Sequence, residues 1–256
     1  MYKIFNAIKL FVELFVLALV CILSFMFIKA STDNIYLQSE IKSFMDKAIF
    51  EEEINGVLYY YVNDDTIEED SIRKNTYSNG TPANPTLGSP GDIFVMPQSR
   101  MDYIPLSMQF ITFLFGGHAG IVANDDKLIE SMGGESSDAF VDIYPDDLFL
   151  EERSVIGLRV NVSLEERKQA LNNAMSLIGK LYNFFYIFGT TDKYYCTDLC
   201  ARIYSEEFGI DCNLDGNGLY VTTQDLIRSK DTKITFFKYY DSLKDKTYIY
   251  YLKSGK

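Results

Sequence analysis

"FGGHAGIVANDDKLIES", residues 115–131, holds the only histidine in a chain of 256 residues. His118 lies among glycines at the head of "HAGIVA", a short β-rich run, and "NDD" then turns the chain into a second run, "KLIES". Against 24 Lys and Arg and 36 Asp and Glu, a single imidazole placed where glycines permit close approach raises the question of its partner. The candidate is far downstream, in "DKYYCTDLCARIYSEEFG", residues 192–209. There Cys196 opens a predicted helix that carries Leu199, Ile203, Tyr204 and Phe208 inward and stops at Gly209.

Between these two stretches the pattern is that of a folded domain. "DIFVMP" from Asp92, "HAGIVA", "KLIES", "AFVDIY" and "VIGLRV" are short β-rich runs separated by turn residues, which predicts a mostly antiparallel sheet. Ser163 opens a helix with a capping box to Glu166; Leu164, Leu171, Ala174, Met175 and Ile178 form its expected buried stripe, and Gly179 its end. A short helix near 223–229 and strands near 233–238 and 247–252 follow. Strands first and helices segregated later indicate an α+β fold, an antiparallel sheet packed on helices.

Upstream of that domain, Leu10 to Ile28 is apolar except for Glu13 and Ser24. As a helix it extends roughly 28 Å, close to the hydrocarbon thickness of a bilayer. Lys3 and Lys9 before it favour an N-terminus left in the cytoplasm. "FIKAS" is a poor cleavage site, with Ile28 where a small residue belongs, and Cys21 follows Val20 rather than the small residue of a lipoprotein signal. An uncleaved transmembrane anchor over residues 1–30 is therefore favoured over a signal peptide, and the rest of the chain is expected outside the cytoplasm, secreted if the segment is cut. Residues 31–56 read as an amphipathic helical connector, with Leu37, Ile41, Phe44, Met45, Ala48 and Ile49 at helical spacing. Residues 57–256 read as the soluble domain, with an acidic Pro-rich loop at 63–90.

The net charge is −12, and removing Lys3, Lys9 and Glu13 (net +1) leaves −13 on residues 29–256. Such a surface repels polyanions, which argues against a nucleic-acid partner and against electrostatic docking on anionic lipid. Four cysteines are too few for a disulfide framework, although a Cys200–Cys212 bridge is conceivable in an oxidising compartment. "DCNLDGNG", residues 211–218, imitates the start of a calcium loop, but Thr222 stands where the bidentate Glu is needed, so it reads as a turn. No P-loop or dinucleotide fingerprint occurs.

At the start of a helix, unpaired N–H groups and the positive end of the dipole favour thiolate over thiol at Cys196. Asp192 and Asp198 oppose this, and a protonated His118 alongside tips the balance back. The residue types alone fit equally a buried core thiol and a satisfied polar imidazole. Cys200, one turn on, reads as core packing, and two thiols with one His do not complete a zinc site.

Four motifs in order, "PGDIFV", "GGHAGIVANDDKLIES", "LIGKLYNFFY" and "KYYCTDLCARIYSEEFG", resemble the circularly permuted branch of the NlpC-type papain-like cysteine hydrolases, the YiiX and YebB-like group, over roughly residues 88–230. The resemblance implies a permuted papain-like fold in which the His strand precedes the Cys helix. It implies Cys196 as nucleophile, His118 as general base and later acid, and Glu130 of "KLIES" as the group orienting the imidazole. Tyr182, Tyr195 and Gly117 are the implied substrate contacts, with core packing an equal reading for Tyr182. No metal or organic cofactor is implied.

The expectation is thus a membrane-anchored cysteine hydrolase cleaving an amide, such as a cell-wall peptide, through an acyl-enzyme. A lipid acyl ester or amide hydrolase or acyltransferase, and a non-catalytic anchored binding module, are the alternatives. The partners expected are the membrane, through the N-terminal helix, and a small peptide or acyl substrate. The segment at 63–90 and the apolar "MDYIPLSMQFITFLF", residues 101–115, set this chain apart from its relatives and bear on the substrate.

Overall fold

The computed structural model describes residues 2–74, 77–78, 81–82, 84–97, 116–133, 140–151, 153–187, 189–190, 192–212 and 220–255. The expected helix at 101–115 and most of the turn at 211–218 lie outside them. Helices are α1 (Tyr2–Asp46), α2 (Asp147–Glu151), α3 (Leu164–Ser176), α4 (Cys196–Phe208) and α5 (Thr223–Arg228). Nine strands form one sheet: β1 (Ile49–Ile54), β2 (Val57–Asp64), β3 (Ile93–Met96), β4 (His118–Asn124), β5 (Lys127–Ser131), β6 (Val141–Pro145), β7 (Ser154–Val160), β8 (Thr232–Asp241) and β9 (Lys246–Ser254). Their order is β1-β2-β9-β8-β7-β3-β4-β5-β6. Every neighbouring pair is antiparallel except β9 with β2, so the sheet is mixed by one parallel pairing.

Alternation along the strands divides the core into two layers. Val95, Ile121, Ile129, Ile156 and Leu158 face α3, α4, α5 and the second half of α1. Phe94, Val122, Leu128, Val155 and Phe236 face the other way, onto Phe149 of α2 and onto Ile72 and Leu87. Each such side chain fully buried contributes roughly 1.5–3 kcal/mol, which fixes the register.

α1 is continuous and changes character at residue 30. Residues such as Phe11, Phe15, Phe25 and Ile28 are exposed, and Phe5–Asp46 is a helix long and apolar enough to cross a membrane by length and composition. From there Ala30, Asp33, Leu37, Ile41 and Phe44 turn one stripe into the body. The helix stops at Asp46, so the helical connector expected to residue 56 is shorter than read. Ile49 and the three glutamates after it belong to β1, an edge strand closed onto β2 by Asn55 and Gly56, both at positive φ as a tight hairpin requires.

The segment expected as an acidic surface loop at 63–90 is partly built into the body. β2 runs to Asp64, Ile72–Arg73 pairs with Thr86–Leu87, and Ile67, Ile72, Ser71 and Leu87 are buried. Ser71 Oγ ties it to the carbonyls of Thr235 and Leu252. In α3 the capping box of Ser163 and Glu166 forms as expected, but the buried stripe is Arg167, Ala170 and Ala174. Leu164, Met175 and Ile178 are exposed instead, because the small alanines are what let α3 approach α4 closely. The helix ends at Ser176, before Gly179.

Candidate active site

Two elements deliver the side chains. β4 and β5 form a hairpin in which Ile121 faces Ile129 and Val122 faces Leu128, so that Glu130 comes level with the start of β4. His118 Nε2 lies 2.6 Å from Glu130 Oε2, and the carboxylate is almost completely buried. Gly120 lies between them on the same face: a Cβ there would stand 2.7 Å from Glu130 Cγ. Below the imidazole, the Phe149 ring stacks at 5.8 Å between centroids and fixes its plane.

α4 brings the thiol. Cys196 is its first residue, and Tyr195, the N-cap, supplies no side-chain cap to the first-turn N–H groups. The thiol is hydrogen-bonded to the His118 ring and receives the N–H groups of Ala119 and Thr197. With Nε2 engaged by Glu130, the other ring nitrogen serves the sulfur. Sequence-distant His118 and Cys196 therefore meet, and Glu130 completes the line.

The electrostatics follow from this arrangement. Burial works against a charged thiol at Cys196, but the facing imidazolium and two backbone donors outweigh it and hold the pKa below that of an ordinary thiol. Burial likewise opposes a charged His118, yet the thiolate and Glu130 raise its pKa to about 10. The other soluble thiols go the opposite way. Burial lifts Cys200 well above its usual value and Cys212 to about 12. All four cysteines are free, so the conceivable Cys200–Cys212 bridge is not formed.

Of the expected substrate contacts, Gly117 directly precedes His118, its N–H bonded to the Met96 carbonyl at 3.1 Å. Tyr182 is buried beside Cys196, within reach of its charge, and packs on Tyr186. Tyr195 differs from expectation: its ring is buried and its hydroxyl accepts the Val221 N–H at 2.7 Å, so it builds the wall of the site rather than touching what enters.

Three further residues hold the geometry. Ser131 Oγ donates to the Tyr194 carbonyl at 2.6 Å, pinning β5 to the approach of α4. Thr197 Oγ1 donates to the Val221 carbonyl at 2.6 Å. Asp198 is buried in the first turn of α4, facing the N–H groups of Gly189 and Tyr195, with Arg202 Nη1 at 3.7 Å; burial, only partly offset by Arg202, raises its pKa to about 7. Nothing local in the sequence marks Ser131 or Thr197, because their partners are remote. Among the described residues, no cluster of three or more His, Cys, Asp or Glu is arranged to hold a metal ion.

A family model described as the permuted papain-like amidase enzyme, YaeF/YiiX, matches residues 92–241. The chain belongs to the permuted papain-like amidase family. It is thereby a hydrolase of the cysteine amidase kind, and β4, β5 and α4 all fall inside the matched region. Among solved structures, the metalloprotein yiiX of Escherichia coli O157:H7 is similar at 16% identity and a TM-score of 0.44, covering 57% of this amidase and 96% of that chain. No curated protein matches.

Proposed function

We propose that this amidase cleaves an amide through an acyl-enzyme on Cys196, with His118 as the proton carrier and Glu130 as its positioning residue. The observation that carries the reading is the imidazole bonded on one side to a buried carboxylate and on the other to a thiol of lowered pKa. The thiolate attacks the carbonyl carbon, and charge passes to the oxygen beside the uncapped first-turn N–H groups of α4. His118 gives its proton to the departing nitrogen as the C–N bond breaks, leaving a thioester. It then takes a proton from water, which attacks that carbonyl, and returns the proton to sulfur as the acid leaves. Glu130 accepts the Nε2 hydrogen throughout and holds the tautomer.

The apolar half of α1 supports a single-pass anchor that keeps the amidase at a membrane, with its body outside the cytoplasm. For the substrate, a specific observation favours an acyl amide over a charged cell-wall peptide. Tyr182, buried beside Cys196, packs edge-on against Phe184, and Phe184, Phe185 and Ile187 form an exposed apolar patch next to it.

The test is intact-protein mass spectrometry of the full chain with an electrophilic thiol probe. Rapid modification at Cys196, lost in His118→Ala, and a trapped acyl-enzyme with an activated amide are expected. Labelling at Cys196 no faster than at Cys200 and Cys212 would return the chain to the non-catalytic binding reading.

A further inference from the structure

α1 acts as a ruler against which the height of the active site above a bilayer is read. Its apolar stretch ends at Ile28, and Lys29 is the first residue beyond it. Lys29 Nζ lies 3.6 Å from Asp225 Oδ1 and 5.9 Å from the centre of the Tyr220 ring. One turn higher, Asp33 pairs with Arg228, whose guanidinium stacks 4.4 Å over Tyr36. Higher again, Ser43 and Lys47 share an open groove with Ser229 and Lys233. Advancing along α5 and into β8 therefore climbs α1 away from its apolar half, and the chain just before α5 lies at the level of Lys29.

That low end is where the active site is fastened. Val221 receives Thr197 Oγ1 and gives its N–H to Tyr195, the residues on either side of Cys196. Thr223 fills the space where Gly116, two residues before His118, lacks a side chain. The stripe from Ala30 to Phe44 is buried against the body, so the helix does not swing as a tether. Next to this end, Phe184, Phe185 and Ile187 are exposed at 52, 81 and 56%. They do not hang on a loose loop: Asn183 Nδ2 donates to the Ile187 carbonyl at 2.8 Å and to Thr190 Oγ1 at 2.9 Å, and Asn183 Oδ1 accepts the Phe185 N–H. Tyr186, held at φ 53°, packs against Tyr195 at 5.5 Å between ring centres.

We infer that Phe184, Phe185 and Ile187 enter the interfacial layer of the same bilayer that holds α1, and that the active site opens there onto a membrane-resident amide carrying an acyl chain. The inference rests on the proposed roles of α1 as anchor and Cys196 as nucleophile. An apolar contact also suits a body of net charge −13, which gains nothing from anionic headgroups.

The chain contains no tryptophan, so a single Trp reports on one place. In the full chain reconstituted into phosphatidylcholine vesicles, Phe185→Trp is expected to emit at shorter wavelength and to be quenched by lipid brominated on its acyl chains. Lys230→Trp, at an exposed position two residues beyond Arg228 and so farther from the apolar half of α1, is expected to emit as in water without quenching. An unquenched, water-like reporter at 185 overturns the membrane contact whatever the state of Cys196, because the readout needs no turnover. The substrate is tested with an N-palmitoyl amide in the vesicles against the N-acetyl amide of the same amine in solution. Phe184→Ser with Phe185→Ser is expected to lower the palmitoyl-to-acetyl rate ratio about tenfold. An unchanged ratio overturns the acyl-chain substrate, and loss of both rates on Cys196→Ala alone identifies the thiol independently.

Discussion

The Glu130 carboxylate meets His118 Nε2 at 2.6 Å across a hairpin, and its other oxygen, Oε1, has no hydrogen-bond partner among the described residues. A buried carboxylate with one free oxygen is a costly group to keep unless the imidazole uses its charge. Glu130→Gln keeps the shape and removes the charge. It is expected to lower kcat/KM by about 10- to 1,000-fold, with kcat carrying most of the loss, as for a residue that acts through the base. Steady-state kinetics on an activated amide measures it, and an unchanged kcat would leave Glu130 a packing residue.

Gly120 offers a second route to the same contact. Adding a methyl group places carbon 2.7 Å from Glu130 Cγ, which pushes the carboxylate away from the ring. Gly120→Ala is expected to destabilise the fold by about 1–3 kcal/mol, as overpacking does, and to lower the Cys196 alkylation rate at neutral pH. Thermal unfolding and iodoacetamide kinetics separate the two effects. A stability loss with unchanged alkylation would show that the carboxylate adapts.

What could be read in the sequence was whatever is local or matches the family's motifs. The His118–Glu130 hairpin follows from two β runs and a three-residue turn, and Cys196 is marked by the helix it begins. β1 was missed because Glu51, Glu52 and Glu53 look like solvent, whereas Glu51 pairs with Lys74 and Lys253 and accepts from the Tyr251 hydroxyl, partners that only folding assembles. In the stripe of α3 the sequence shows Ala174 but not Arg167 or Ala170, because hydrophobicity favours Leu164 and Met175 while close helix packing selects small residues. The resemblance implies Tyr195 as a substrate contact, but its partner, the Val221 N–H, lies 26 residues away and is invisible to the local sequence. The ladder from Lys29 to Arg228 joins residues about 200 apart, which no periodicity reveals.

The "PGD" turn before β3 makes a prediction about stability rather than chemistry. Asp92 is fully buried, accepting from Arg159 Nε and Nη2 at 2.8 Å each, from the Ser89 N–H at 2.9 Å, and from Arg167 Nη1 at 3.4 Å. It thereby joins β3, β7 and α3 behind the active site. Asp92→Ala leaves two guanidinium groups buried without their anion and is expected to cost about 3–5 kcal/mol, since breaking a buried pair strands the partner charge. Chemical denaturation of the full chain in detergent checks it, and a loss under 1 kcal/mol would mean that Arg159 finds water.

The Cys196–His118 pair fixes a pH window whose sign can be worked out. The thiol loses its proton below its ordinary value of 9.0 and the imidazolium keeps its own up to about 10, so the charged pair dominates between those two steps. Amidase activity should therefore rise as pH climbs through the lowered thiol step, hold a plateau, and fall as pH passes about 10. Stability follows the same pair. His118, raised from 6.5, contributes fully below 6.5 and loses its contribution as pH rises through about 10. Cys196, lowered from 9.0, contributes above 9.0 and loses its share as pH falls through its folded value. Glu130→Gln takes away one of the anions holding the proton on His118, so the alkaline limb of the activity profile should move to lower pH while the chain stays folded. A limb that does not move would mean that the thiolate alone sets the imidazole.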